Sequence, residues 1–317
     1  VDVHYPPFAV NVFQDLTVFP TLSLSPTPPA AIIEAASSPS FITRTGFAMK
    51  RLLLTGAAGR IGSAFRQLTQ DRYHFRLVDR KGVEITDAGA HEVVTADLAD
   101  LAACQAVCQS MDYVVHLAAD PSTTADFYGS LLDNNIKAAY NIFRAAKDQG
   151  CQRVIFASSI QAIEGYPLDT QVHPEMPPKP MNLYAAAKVF GEAMCHYFAY
   201  AEGLPCIAIR VGAYAGNHDY HAHPEALDGR TLSAYVSARD LTHLIVQSLE
   251  TPDLQFAIFQ AVSDNRFKRM DISSARQLVN YQPQDDAFAL FNIGIQNRQR
   301  WYDEWGRGKR EDDKVAG

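Results

Sequence analysis

The stretch KRLLLTGAAGRIGSAFRQLTQ, residues 50–70, constrains the fold more than any other part of the chain. A short apolar run leads into glycines spaced G-x-x-G-x-x-G, and a helical sequence follows without a break. Gly56 permits a tight turn, Gly59 lets backbone amides approach a pyrophosphate, and Gly62 lets the helix pack close to the strand. A glycine triplet alone carries little weight. Between a strand and a helix it points to a dinucleotide site in a βαβ unit.

The alternation continues downstream. HFRLVDR reads as a second strand ending in Asp79, 23 residues after Gly56. An acid at that place accepts from ribose hydroxyls and repels a 2′-phosphate, which favours NAD over NADP. Arg80 and Lys81 follow directly and could accept a phosphate. EVVTADLAD reads as strand then turn, with Asp97 placed for the adenine edge. LAACQAVCQS reads as a helix with Cys104 and Cys108 one turn apart on a buried face; without further ligands the pair makes no metal site. DYVVHLAAD is a fourth strand running into small residues. Residues 127–150 form a long helix closed by Gly150. QRVIFASSI is a fifth strand ending in Ser158 and Ser159, and PCIAIRVG is a sixth. A helix over 237–250, a strand over 255–263 and a helix over 271–280 complete the pattern. The expected fold class is α/β, a doubly wound parallel sheet with a small C-terminal substrate-binding region. Right-handed crossovers gather Gly56, Asp79, Ala118 and Ser159 on one rim.

Tyr184 and Lys188 stand four residues apart in the helical stretch LYAAAKVFGE and so share a face. A phenol beside an ammonium is either a surface pair or a base with a lowered pKa. Tyrosine near its reference pKa of ~10 is too weak a base at neutral pH, and a nearby cation favours the phenolate. With Ser159 at the end of a strand on the same rim, the base is the expected reading.

Composition narrows the function classes. The 317 residues are 47% hydrophobic and 20% charged, with a net charge of −7, so the chain has no basic footprint for nucleic acid. No apolar run reaches the ~18 residues of a membrane helix. Five cysteines are too few and odd in number for a disulfide framework, which favours a reducing, cytoplasmic setting. Residues 1–48 are rich in Pro, Ser and Thr and show no sustained period, and they read as a disordered leader. The expected organisation is a nucleotide-binding domain with the catalytic residues over 49–211, a lid and completing sheet elements over 212–297, and a charged tail over 298–317. His218, His221 and His223 share one loop, where a polar lid, a substrate contact and a metal site are all conceivable; no metal is assigned.

Thr55 to Gly62, the HLAA after the fourth strand, serine after the fifth and Tyr-x-x-x-Lys together resemble the extended short-chain dehydrogenase/reductase family over roughly residues 49–293. That resemblance implies a Rossmann fold, an NAD cofactor and a catalytic group of Ser159, Tyr184 and Lys188. It adds an asparagine relay, matched to Asn135 rather than Asn134. It implies cofactor contacts from Gly56, Gly59, Arg60, Ile61 and Gly62 in the first turn, from Asp79, Asp97 and Leu98 at the adenosine end, and from Leu117, Ala118, Ala119, Ser158, Tyr184 and Lys188. A homodimer is also implied.

Within that family, FASSIQAIEGYP, NLYAAAKVFGE and RTLSAYVSARDL resemble the uronate dehydrogenase group and its sugar-phosphate dehydrogenase relatives. The resemblance implies oxidation of an anomeric carbon to a lactone, with Ser122, Ser159, Gln161 and Arg230 touching the sugar and Arg230 binding a carboxylate. Ile160 and Gln161 stand where that group carries Asn-His, and Ala213 where serine is common, so polar contacts are missing. The alternatives are a nucleotide-sugar epimerase or dehydratase, and a non-catalytic cofactor sensor, for which a base has no use.

Overall fold

A computed structural model describes residues 49–83, 91–214 and 228–291. The 1–48 segment, the histidine loop and the charged tail lie outside the described residues.

Seven strands form one parallel sheet. They are β1 (Lys50–Thr55), β2 (Tyr73–Asp79), β3 (His91–Thr95), β4 (Tyr113–His116), β5 (Arg153–Ser159), β6 (Cys206–Val211) and, after a two-residue pair β7 (Ala213–Tyr214) and β8 (Tyr235–Val236), β9 (Phe256–Ala261). The order is β3-β2-β1-β4-β5-β6-β9, and it reverses direction between β1 and β4. In an open α/β sheet, the crevice outside the strand ends at such a reversal is where ligands bind.

Alternation of side chains divides the core in two. Leu52, Leu54, Ile155, Ile207 and Ile209 pack on one face with α1 (Arg60–Thr69), α6 (Ala238–Glu250) and α7 (Ser273–Val279). Leu53, Val154, Phe156, Cys206 and Ala208 pack on the other with α2 (Leu101–Cys108), α3 (Ala138–Asp148) and α4 (Leu183–Tyr200). Both faces are covered, so the strands read as continuous apolar runs. Two short helices, α5 (Gly229–Ala234) and α8 (Ala287–Leu290), pack together beside the sheet through Leu232, Ala287 and Phe288.

Caps place the helix starts. Asp100, Asn182 and Ser237 accept from first-turn amides of α2, α4 and α6. The long helix expected over 127–150 is wound in two ways. Phe127–Lys137 is π-helical and only Ala138–Asp148 is α. Its close at Gly150, with φ +73°, is as expected. Because β9 pairs with β6 along its whole length, the sheet extends across position 211, the boundary expected between nucleotide-binding domain and lid. All five cysteines are buried and free.

Candidate active site

The C-terminal ends of β1, β2, β4, β5 and β6 open on one cleft of about 600 Å3. At its floor the glycine turn leaves no room for side chains. Gly56 sits at φ +69°, and a Cβ there would lie 2.8 Å from the Ala118 backbone nitrogen; at Gly62 it would lie 2.3 Å from the Gly56 carbonyl oxygen. Gly59 caps α1 without a side-chain oxygen, which leaves the first-turn amides for a ligand phosphate. A cradle kept bare of Cβ atoms beneath a helix N-terminus fits a dinucleotide pyrophosphate. Arg60 and Ile61 from the first turn, Asp97 and Leu98 after β3, and Leu117, Ala118 and Ala119 after β4 all line the same cleft.

Asp79 lines it as well. Its carboxylate accepts from the amides of Ala58 (3.0 Å) and Lys81 (3.1 Å), which ties the acid to the glycine turn. Arg80 lies beside it in the lining. Asp79→Ala is expected to raise the NADP:NAD ratio of kcat/KM by about tenfold or more, since it removes one charged hydrogen-bond acceptor and one repulsive charge. Steady-state rates on both cofactors check this; a wild type already preferring NADP would sink the assignment.

Ser159, Tyr184 and Lys188 converge on the opposite wall. Ser159 ends β5 and caps the 3₁₀ turn Ile160–Ile163, its Oγ accepting from the Gln161 amide at 3.2 Å. Tyr184 lies in the first turn of α4, whose start is set by Asn182 accepting from the Ala185 amide at 2.8 Å. Lys188 is 5% exposed, and its Nζ donates to the Ala157 carbonyl at 2.8 Å. Burial pushes the Lys188 ammonium down to about 8. Burial also pushes the Tyr184 phenol above its usual range; the nearby Ser159 hydroxyl opposes that rise, and the Asp120 charge adds to it. The sequence predicted a phenol lowered by Lys188 with the oxidised nicotinamide nearby. Among the protein's own groups desolvation dominates, with the ammonium 5.6 Å from the ring centroid and tied to a carbonyl. Buried His116 pairs with Thr55 at 2.7 Å and is held near 3 by burial and the Lys188 charge, so it is neutral packing rather than a base.

Other expected positions differ in detail. Ser158 lines the cleft, but its hydroxyl donates to Glu192 at 2.6 Å. Asn135 is buried, with its amide held by the Asp120 backbone at 2.8 and 3.0 Å, while Asn134 lines the cleft. The wider π winding shifts which residues face the sheet, a register that spacing rules for an α-helix do not anticipate. Ser122 stands outside the lining, which its neighbours Pro121 and Thr123 share. Gln161 lines the cleft and accepts from Asn182 at 3.0 Å. Arg230, in the first turn of α5, lines it too, with Nε 2.8 Å from Glu164 Oε1 and Nη2 2.6 Å from Oε2. That carboxylate holds the guanidinium above its usual pKa.

Glu164, Asn182, Thr123 and Tyr214 went unread in the sequence. Asn182 had a legible signal, an N-cap residue just before a helical run. Glu164 had none, because its partner lies 66 residues away.

The chain matches the model of the NAD dependent epimerase/dehydratase family over residues 52–244. It is 33% identical over 253 residues to an NAD-dependent glucose-6-phosphate dehydrogenase of Haloferax volcanii, covering 74% of this chain and 94% of that protein. It is 31% identical over 246 residues to a uronate dehydrogenase of Pseudomonas syringae pv. tomato, covering 77% and 85%. A uronate dehydrogenase from Agrobacterium tumefaciens, solved in complex with NAD, superposes with a TM-score of 0.69 at 31% identity over 81% of this chain and 90% of that one. The protein is therefore a member of the NAD dependent epimerase/dehydratase family.

Proposed function

We propose that the protein is an NAD-dependent dehydrogenase that oxidises the anomeric carbon of a small sugar or sugar acid to a lactone. The observation that carries this reading is the convergence of Ser159, Tyr184 and buried Lys188 in the same cleft as the glycine cradle. The glycine turn and Asp79 would hold NAD, which when bound supplies the hydride acceptor. Ser159 holds the anomeric oxygen by a hydrogen bond. Tyr184, once ionised, takes the proton of that hydroxyl. Lys188 keeps a positive charge near the phenol below about pH 8, and its bond to the Ala157 carbonyl fixes where that charge sits. Burial by itself disfavours the phenolate, so the base depends on cations around it, Lys188 among them.

The test is a panel of neutral aldoses, uronates and sugar phosphates with NAD, followed by NADH absorbance and by product analysis. NADH formed together with a lactone is expected. Interconversion of a nucleotide sugar with no net NADH would replace this reading by the epimerase one.

The same reading includes a homodimer in a cytoplasmic setting. Exposed Tyr140 on α3 and Leu183, Tyr197 and Tyr200 on α4 support a second copy seated on those helices, and five buried free cysteines suit a reducing compartment. Among the described residues no helix is long and apolar enough to cross a membrane.

A further inference from the structure

Arg230 is the one residue of the expected substrate set whose charge could select an anionic sugar, and its surroundings bear on that selection. Glu164 follows the 3₁₀ turn that Ser159 caps, and both its oxygens lie within ion-pair distance of the Arg230 guanidinium. Nε donates to Oε1 at 2.8 Å and Nη2 stands 2.6 Å from Oε2, so Glu164 occupies the guanidinium edge that a substrate carboxylate would use. Glu164 is not in the cleft lining and Arg230 is, so the cleft meets a guanidinium whose fork is already engaged. The neighbouring charges add no surplus cation. Asp228, which caps α5, acts on Arg230 with the same sign as Glu164. Arg269 also feels Glu164 and Asp169, but it is 3% exposed, outside the lining, and donates to the carbonyls of Tyr166 and Pro167. Two guanidinium groups therefore stand among three carboxylates.

We infer that Glu164 sets this site for a sugar uncharged at the end that meets Arg230, by occupying the guanidinium that would otherwise bind a carboxylate or phosphate. This rests on the sugar-oxidising reading above and narrows its substrate class. An anion entering the cleft must displace Glu164 or lie beside it, and either way it faces a like charge. A hydroxyl does neither: it can accept from the remaining Arg230 N–H groups without breaking the pair. The inference also accords with Gln161, whose amide is turned to Asn182 and offers the sugar a neutral partner.

The experiment compares substrates that differ at one carbon, glucose with glucuronate and glucose 6-phosphate, in wild type and Glu164→Gln. Wild type is expected to show kcat/KM at least about tenfold higher for glucose than for either anion. Glu164→Gln keeps the shape, frees the fork and removes the repulsion, so the anion-to-neutral ratio should rise about tenfold or more. A thermal melt confirms that the variant is folded. A wild type favouring an anion tenfold overturns the inference, and so does a ratio that Glu164→Gln moves by less than about threefold. Ligand-observed NMR with glucose and glucuronate supplies a readout independent of turnover. Absence of oxidation on every sugar defeats the dehydrogenase reading, whereas glucuronate binding no more tightly to Glu164→Gln than to wild type defeats this inference.

Discussion

Tyr184→Phe is expected to lower turnover by roughly 10² or more while NAD still binds, because it removes the proton acceptor and leaves the ring in place. The ring matters to the fold: Tyr184 sits in the first turn of α4 and its ring centroid lies 5.6 Å from the Lys188 nitrogen. The hydroxyl matters to the chemistry, since it is the ionisable group that stands with Ser159 in the cleft lining. The two effects separate cleanly in a phenylalanine variant. NAD affinity, read by fluorescence quenching or calorimetry, should stay within a few-fold of wild type, because the change leaves the glycine cradle and Asp79 intact. Turnover on the best substrate should collapse, and raising the pH should not restore it, because no phenol remains to ionise. Near-normal turnover would transfer the base to another group and undo the assignment.

Glu192→Ala is expected to destabilise the fold by about 3–5 kcal/mol, the usual cost of removing one partner of a buried ion pair. Glu192 and Arg210 are 4% and 1% exposed, and the guanidinium meets both carboxylate oxygens at 2.8 Å. Removing the carboxylate strands a buried guanidinium whose other contact is the Pro174 carbonyl at 3.4 Å. The same change frees the Ser158 hydroxyl, which donates to Glu192 at 2.6 Å. Lys188 and Glu192 lie on successive turns of α4 and hold Ala157 and Ser158 in turn, so the end of β5 that presents Ser159 is gripped at two points. Such close approach is possible because α4 carries Gly191 over the Phe156 ring, where a Cβ would come within 2.1 Å. Urea denaturation gives the stability loss directly, and kcat at saturating substrate should fall with it. Glu192→Gln keeps the Ser158 contact and should lose less. A loss below about 1 kcal/mol in the alanine variant would mean that Arg210 finds water or another acceptor, and the clamp would carry little of the site's geometry.

Which residues line the cleft around the glycine turn was legible almost position by position. Each of its determinants is local: a glycine where a Cβ would strike the next strand's backbone, an acid at the end of β2, a pair of small residues after β4. Strand–turn–helix adjacency places them on one rim with no long-range information, because right-handed crossovers leave a single arrangement. The same locality made the Tyr184–Lys188 spacing readable, one turn apart on a helix that Asn182 caps. The substrate half was less legible. Ser122 misses the lining by one position, and the asparagine that faces the cleft is Asn134, because Phe127–Lys137 winds as a π-helix and no residue pattern in that segment announces it.

By itself, the sequence determined the doubly wound sheet, the NAD cradle and the Ser-Tyr-Lys group, since apolar runs, glycines and a four-residue helical spacing act over a few residues at a time. Tertiary structure alone decided the charges that these groups experience. Arg230 reads in the sequence as a free guanidinium ready for an anion, and it becomes one half of an ion pair because a 3₁₀ turn brings Glu164 to it across 66 residues. Tyr184 reads as a phenol lowered by its lysine and the oxidised nicotinamide, and among the protein's own groups burial pushes it the other way. Ser158 reads as a cofactor ligand; it lines the cleft, and its hydroxyl donates to a carboxylate one turn beyond Lys188. In each case the deciding quantity is desolvation or a partner distant in the chain, and both exist only once the helices have closed over the sheet.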